Sequence, residues 1–113
     1  FEKQYREGLS LTIVGDGKQR RDFTHIDDIV NGLIRCSEQS FRAEIFELGR
    51  GKNHSINEVA GMFGGKYPKE YLKQRPGEYD VTLADYSLAK TVLNWVPKVN
   101  LNDYIKKIVD DKD

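Results

Sequence analysis

Glycine closes off most of the apolar stretches of this sequence. Gly8 precedes Leu9–Val14, Gly15 and Gly17 follow it, Gly49 and Gly51 follow Ala43–Leu48, and Gly64-Gly65 follows the segment ending at Phe63. Glycine costs a helix or strand interior conformational entropy and adopts the left-handed backbone of turns without strain. The elements must therefore be short and numerous. That predicts a mixed α and β class, with strands and helices interleaved but without full βαβ regularity, in one domain over residues 1–113. A chain of 113 residues buries roughly two-thirds of the surface its unfolded form exposes, enough for one compact unit.

Phe1, Tyr5 and Leu9 fall on one face of a helix already under way at the first residue, which predicts a piece of a longer protein. Leu9–Val14 reads as a strand, Gly15-Asp16-Gly17 as a turn and Gln19–Ile26 as a returning strand, together a hairpin. Asp27 or Asp28 is expected to cap a helix whose apolar stripe is Ile29, Val30, Leu33, Ile34 and Cys36. Ala43–Leu48 reads as a short strand. Ser55-Ile56-Asn57-Glu58 has the form of a capping box for a helix running to Phe63. Tyr71-Leu72 opens an extended piece that Pro76-Gly77 breaks. A helix follows around Ser87–Leu93, and a last one over Leu101–Val109 has Tyr104, Ile105 and Ile108 inward.

Eighteen basic side chains balance eighteen acidic ones, so no cationic excess marks a nucleic-acid partner. Any anion site must be local. Cys36 is the single cysteine, which excludes an internal disulfide and a cysteine-based metal centre and fits a reducing, cytoplasmic compartment. It reads as a packed helix residue, not a nucleophile. Apolar runs are too short to cross a membrane and no leader pattern opens the chain, so the sequon Asn53-His54-Ser55 is expected to carry no glycan. His25 and His54 lack a third ligand, so no metal is expected.

Two arginine-bearing turns carry the chemistry. In Gly15-Asp16-Gly17-Lys18-Gln19-Arg20-Arg21-Asp22-Phe23, flexible backbone stands beside guanidinium groups, a combination suited to phosphate. Charge alone equally describes a solvated hairpin, the commoner outcome for a short basic run. Arg75-Pro76-Gly77-Glu78 places another Arg beside a rigid turn, and by itself is an ordinary loop.

The motifs in order are Leu11-Thr12-Ile13-Val14-Gly15-Asp16-Gly17, Arg21-Asp22-Phe23-Thr24-His25-Ile26-Asp27-Asp28, Phe46-Glu47-Leu48-Gly49, Arg75-Pro76-Gly77-Glu78, Leu83-Ala84-Asp85-Tyr86-Ser87-Leu88-Ala89-Lys90 and Leu93-Asn94-Trp95-Val96-Pro97. This series closely resembles the C-terminal, substrate-binding part of extended short-chain dehydrogenases/reductases, the NAD-dependent nucleotide-sugar epimerases and dehydratases, with UDP-glucose 4-epimerase as a representative. The resemblance covers nearly the whole chain.

It implies that Arg21 and Arg75 contact the diphosphate of a nucleotide-diphosphate sugar, and that Glu78, where relatives often have Asp, contacts the ribose. Thr12 and Val14 then lie along the nucleobase. Two arginines from separate loops neutralise and orient a diphosphate, leaving the sugar positioned for reaction. The resemblance further implies NAD or NADP in a parent enzyme whose N-terminal Rossmann domain supplies the glycine-rich loop and the catalytic Tyr-x-x-x-Lys. This chain is then a fragment with no catalytic residue and no cofactor of its own, inactive alone.

Tyr86-Ser87-Leu88-Ala89-Lys90 spells the same Tyr-x-x-x-Lys pattern but stands downstream of that pair's place, with Asp85 as an N-cap and Leu88 and Ala89 as packing residues. Gly49-x-Gly51 imitates a dinucleotide loop, but His54 stands where a third glycine belongs. In the family Ala43–Leu48 borders the cofactor domain's sheet. An unpaired edge there invites self-association, so a homodimer or a rearranged packing is the expectation. Epimerase, dehydratase, decarboxylase and reductase remain open, as do base and sugar, with a UDP-sugar epimerase favoured. A stand-alone binding or assembly module without catalysis is the alternative. Nucleic-acid binding through Lys18–Arg21 is a third reading, which the charge balance opposes.

Overall fold

The computed structural model describes residues 1–39, 44–73 and 81–112. The elements run α1 (Glu2–Arg6), β1 (Leu11–Val14), β2 (Arg20–Arg21), α2 (Ile26–Ser37), β3 (His54–Ser55), α3 (Ile56–Met62), β4 (Lys69–Leu72), a π-helical segment (Ala89–Leu93) and α4 (Leu101–Lys112). They form two compact units. The first holds Phe1–Arg21, His54–Thr82 and Asn102–Asp113, and the second Asp22–Asn53 and Leu83–Leu101.

In the first unit the expected hairpin is absent. β1 pairs in parallel with β4, Leu11 opposite Lys69 and Val14 opposite Leu72, while the two-residue β2 pairs antiparallel with β3, Arg21 opposite His54. Alternation along β1 buries Leu11 and Ile13 and leaves Thr12 and Val14 half-buried on the other face. Both apolar side chains meet a core made with Tyr5, Val59, Ala60, Phe63, Ile105 and Ile108. A parallel partner more than fifty residues away pairs all four residues of β1 where a two-residue strand could not, and periodicity does not report distant partners.

The aromatic rings close this unit. Tyr5 packs against Phe63 and Tyr67 with ring centroids 5.1 and 4.8 Å apart, Phe1 meets Phe63 edge-on, and the Lys112 ammonium sits 4.2 Å over the Tyr5 ring. Leu9, expected to extend the α1 face, lies beyond the helix and is exposed. The capping box forms: Ser55 Oγ accepts the N–H of Glu58 at 3.0 Å.

In the second unit, α2 begins one residue after His25, whose Nδ1 accepts the N–H of Asp27. Neither Asp27 nor Asp28 is the cap. The inward face is also not the expected stripe. Asp28, Gly32 and Cys36, spaced by four, face the Trp95 cluster, and Val30, Leu33 and Ile34 are exposed. Size decides this. A Cβ on Gly32 would stand 2.7 Å from Leu48 Cδ1 and 3.1 Å from Trp95 Nε1, so the fully buried indole needs a position without a side chain at the middle of this face.

Residues 44–48 form no strand, and Ala43 lies outside the described residues. Phe46 and Leu48 instead pack on Trp95, Ala89 and Leu93. The helix expected around Ser87–Leu93 is present, winds as a π-helix from Ala89 and stops at Asn94 in the left-handed region (φ 54). α4 runs three residues beyond Val109 and buries Ile105 and Ile108, while Tyr104 donates its hydroxyl to Glu2 at 2.9 Å.

Candidate functional site

β1, the Gly15–Gly17 turn and β2 carry three of the five expected substrate residues on one continuous stretch of the first unit. Thr12 is fixed from α1: its N–H donates to Gln4 Oε1 at 3.1 Å and its hydroxyl accepts from Gln4 Nε2 at 2.7 Å. Val14 follows on the same half-buried face, its carbonyl taking the Gln19 side-chain amide at 3.0 Å. Gly15 and Gly17 both adopt φ +73, a conformation that a side chain would strain.

The turn delivers two arginines with different surroundings. Arg20 forms an ion pair with Glu58 at 2.9 Å. Chiefly through that hydrogen bond, Arg20 holds the Glu58 carboxyl below its ordinary value, with smaller help from the Ser55 backbone N–H and His54. Arg21 is half-buried in β2 opposite His54, and its Nη1 donates to the Arg20 carbonyl at 2.8 Å. The basic run thus splits into one arginine paired with an acid and one braced by backbone. Arg75 and Glu78 lie outside the described residues.

In the second unit, Asp22 organises two loops, a role the motif reading missed. Its Oδ1 accepts the N–H of Arg50 and the Thr24 hydroxyl, and its Oδ2 accepts the N–H groups of Gly51 and Ala84, at 3.0 to 3.2 Å. These contacts decide against Gly49-x-Gly51 as a dinucleotide cradle. The amides a phosphate would need already bond a carboxylate, and the space above the glycines is filled: a Cβ on Gly49 would stand 2.3 Å from Ala84 Cβ, and one on Gly51 3.0 Å from Tyr86 Cε1. The chain's glycine pair does not fit NAD.

Tyr86 packs edge-on against Trp95, centroids 5.9 Å apart. Both Tyr86 and Lys90 border an open hollow of about 440 Å³ beside Gly51. Asp85 accepts the N–H of Ser87, which lowers its carboxyl below the usual value. Among the described residues no three His, Cys, Asp or Glu side chains group as metal ligands, and no helix is long and apolar enough to cross a membrane.

Residues 3–108 match the sequence model of the GDP-mannose 4,6 dehydratase family. The chain belongs to that family. It is 41% identical over 115 residues to UDP-glucuronate 4-epimerase of Thermodesulfobacterium geofontis, a match covering 97% of this chain and 35% of that protein. To UDP-glucose 4-epimerase of Mycolicibacterium smegmatis it is 30% identical, covering 97% and 36%. In three dimensions it superposes on UDP-glucuronic acid 4-epimerase of Bacillus cereus, solved in complex with UDP-glucuronic acid and NAD, with a TM-score of 0.81 at 37% identity, covering 98% of this chain and 37% of that one. The mixed α and β class and the resemblance carried by the six motifs both stand. The chain spans about a third of the length of the curated relatives it matches.

Proposed function

We propose that this member of the GDP-mannose 4,6 dehydratase family binds the nucleotide end of a UDP-sugar and serves an NAD-dependent 4-epimerase. The observation that carries the reading is Arg21, held half-buried in β2 by its bond to the Arg20 carbonyl, directly after the turn that ends the Thr12–Val14 strand. In this reading Arg21 and Arg75 bind the diphosphate, Glu78 the ribose, and Thr12 and Val14 the base. Support comes from the relatives' names, in which UDP-glucuronate and UDP-glucose recur.

A guanidinium aimed at a diphosphate forms charge-assisted hydrogen bonds that fix orientation as well as add affinity. Binding at that remote end restrains the sugar while leaving its ring free of protein charge. NAD supplies hydride acceptance and return at the sugar carbon when bound. Its binding belongs to a cofactor-binding Rossmann portion that works with this chain, because the Gly49–Gly51 loop does not fit it. The chain alone then binds substrate without turning it over.

Titration of the chain with UDP-, dTDP- and GDP-sugars, followed by NMR, tests this. UDP-sugars are expected to bind most tightly. Arg21→Ala should weaken them by roughly 1.5–3 kcal/mol, the range for a lost hydrogen bond to a charged group. Equal affinity of wild type and Arg21→Ala would remove the basis of the proposal.

A further inference from the structure

Asn57, at the start of α3, makes two contacts to the chain that joins β1 to β2 and one to β4. Its side-chain amide donates to the Asp16 carbonyl at 3.0 Å, its backbone N–H donates to the Gly17 carbonyl at 2.9 Å, and its Oδ1 accepts the Tyr71 hydroxyl of β4 at 3.0 Å. Its side chain also fills the space above Gly17. A Cβ there would lie 2.1 Å from Asn57 Oδ1, so the turn's second glycine and this asparagine are matched.

The surrounding bonds tighten the same point. Gly15 donates to the Leu72 carbonyl at 2.8 Å and Ile56 to the Gln19 carbonyl at 3.0 Å, so β4 holds the entry of the turn and α3 its exit. Asn57 touches both sides, through Tyr71 and through Asp16 and Gly17. Without its side chain the turn keeps these backbone bonds at its ends but loses the bond to the Asp16 carbonyl, the link to Tyr71 and the filled space above Gly17, and its glycines gain freedom.

We propose that Asn57 is the positioning residue of the nucleotide site, holding the Gly15–Gly17 turn so that the Thr12–Val14 strand and Arg21 engage the two ends of one nucleoside diphosphate together. This rests on the function proposed above. A ligand that spans two contact points gains from their fixed separation, because the second contact forms at high effective concentration. A ligand that touches one point does not. Loosening the turn therefore weakens the spanning ligand and spares its pieces.

NMR titrations of the chain with UDP, uridine and inorganic pyrophosphate read this difference. Asn57→Ala is expected to weaken UDP about tenfold and to leave pyrophosphate within about twofold of wild type. Unchanged UDP affinity overturns the inference. So does an equal loss for UDP and pyrophosphate, which marks Asn57 as an ordinary fold residue. If Asn57→Ala does not fold, Tyr71→Phe removes the exposed hydroxyl alone, and UDP should weaken about twofold to threefold with pyrophosphate unaffected; equal UDP affinity again overturns it. The two readings fail differently. UDP binding that Arg21→Ala reduces and Asn57→Ala preserves defeats this inference alone, whereas no UDP binding by wild type, or none lost in Arg21→Ala, defeats the proposed function and this with it.

Discussion

Trp95 donates its indole N–H to the Asp28 carbonyl at 2.8 Å, and the Asp28 carboxylate accepts the N–H groups of Lys98 and Val99 at 3.0 Å each. One buried residue of α2 thereby fastens the segment after the π-helix. A carboxylate this deep is tolerated because its oxygens are bonded. Asp28→Ala strands two amide donors and is expected to cost about 2–4 kcal/mol. Asp28→Asn, which keeps one acceptor oxygen, should fall between. Thermal unfolding followed by circular dichroism measures both, and an unchanged midpoint in Asp28→Ala would show that the two amides find water at no cost.

The two neighbouring arginines should separate cleanly in binding. Arg20→Ala breaks the pair with Glu58, whose members are both substantially exposed, and should change UDP affinity by less than about threefold. Arg21→Ala should lose about tenfold or more. Isothermal titration of both variants decides the matter, and equal losses would place the anion site on the run as a whole.

Glu58 sets an acid limb for the first unit. Its carboxyl is lowered from 4.5, first by the hydrogen bond from Arg20. A depressed acid contributes stability while ionised, so the contribution is present above pH 4.5 and disappears as pH falls through the lowered value. Glu58→Gln should unfold at a lower temperature than wild type near neutrality, with the gap closing below pH 4.5. Melting curves across that range test it; a gap that is constant with pH would assign the effect to packing.

Gly49 answers to space, not to turn geometry. Gly49→Ala drives a Cβ to 2.3 Å from that of Ala84 and to 3.0 Å from Asp22 Oδ2. Relief requires moving the Asp22-centred loops, at a cost of about 1–3 kcal/mol. Urea unfolding gives the value, and a neutral substitution would mean the loops shift freely.

Exposed apolar side chains on α2 favour self-association of the chain. Ile26, Val30, Leu33 and Ile34 are 44 to 65% exposed along one side of the helix. Light scattering should show mass rising with concentration, and Leu33→Lys should suppress the rise. A wild-type monomer at high concentration would count against it. Residues 44–48 form no strand, so the apolar surface for self-association lies on this helix.

Elements defined by local chemistry were legible in the sequence. Ser55 and Glu58 cap α3 because both partners lie within one turn, and Gly64, at φ +131, lies just past its end. Leu11 and Ile13 alternate inward as their spacing requires. The motif order also led to the right family, because motif order needs no coordinates. A motif names Arg21 as a candidate without any coordinates. The roles of Asp22, Asp28 and Asn57 were not legible, because their side chains act on backbone groups far along the chain: Asp22 on Arg50, Gly51 and Ala84, Asp28 on Lys98 and Val99, and Asn57 on Asp16.

The sequence by itself determined where α3 begins, which face of β1 is apolar, and that two arginines follow a glycine turn, all consequences of sterics and spacing within a few residues. Only the tertiary structure decided that β1 pairs with β4, that α2 turns Asp28, Gly32 and Cys36 inward, and that Arg20 pairs with Glu58 while Arg21 bonds the Arg20 carbonyl. Pairing and burial depend on what volume and which bonding groups a distant segment brings: a ladder for β1, an indole for Gly32, a carboxylate for Arg20. Such complementarity is a property of two surfaces, and it exists only once the chain has brought them together.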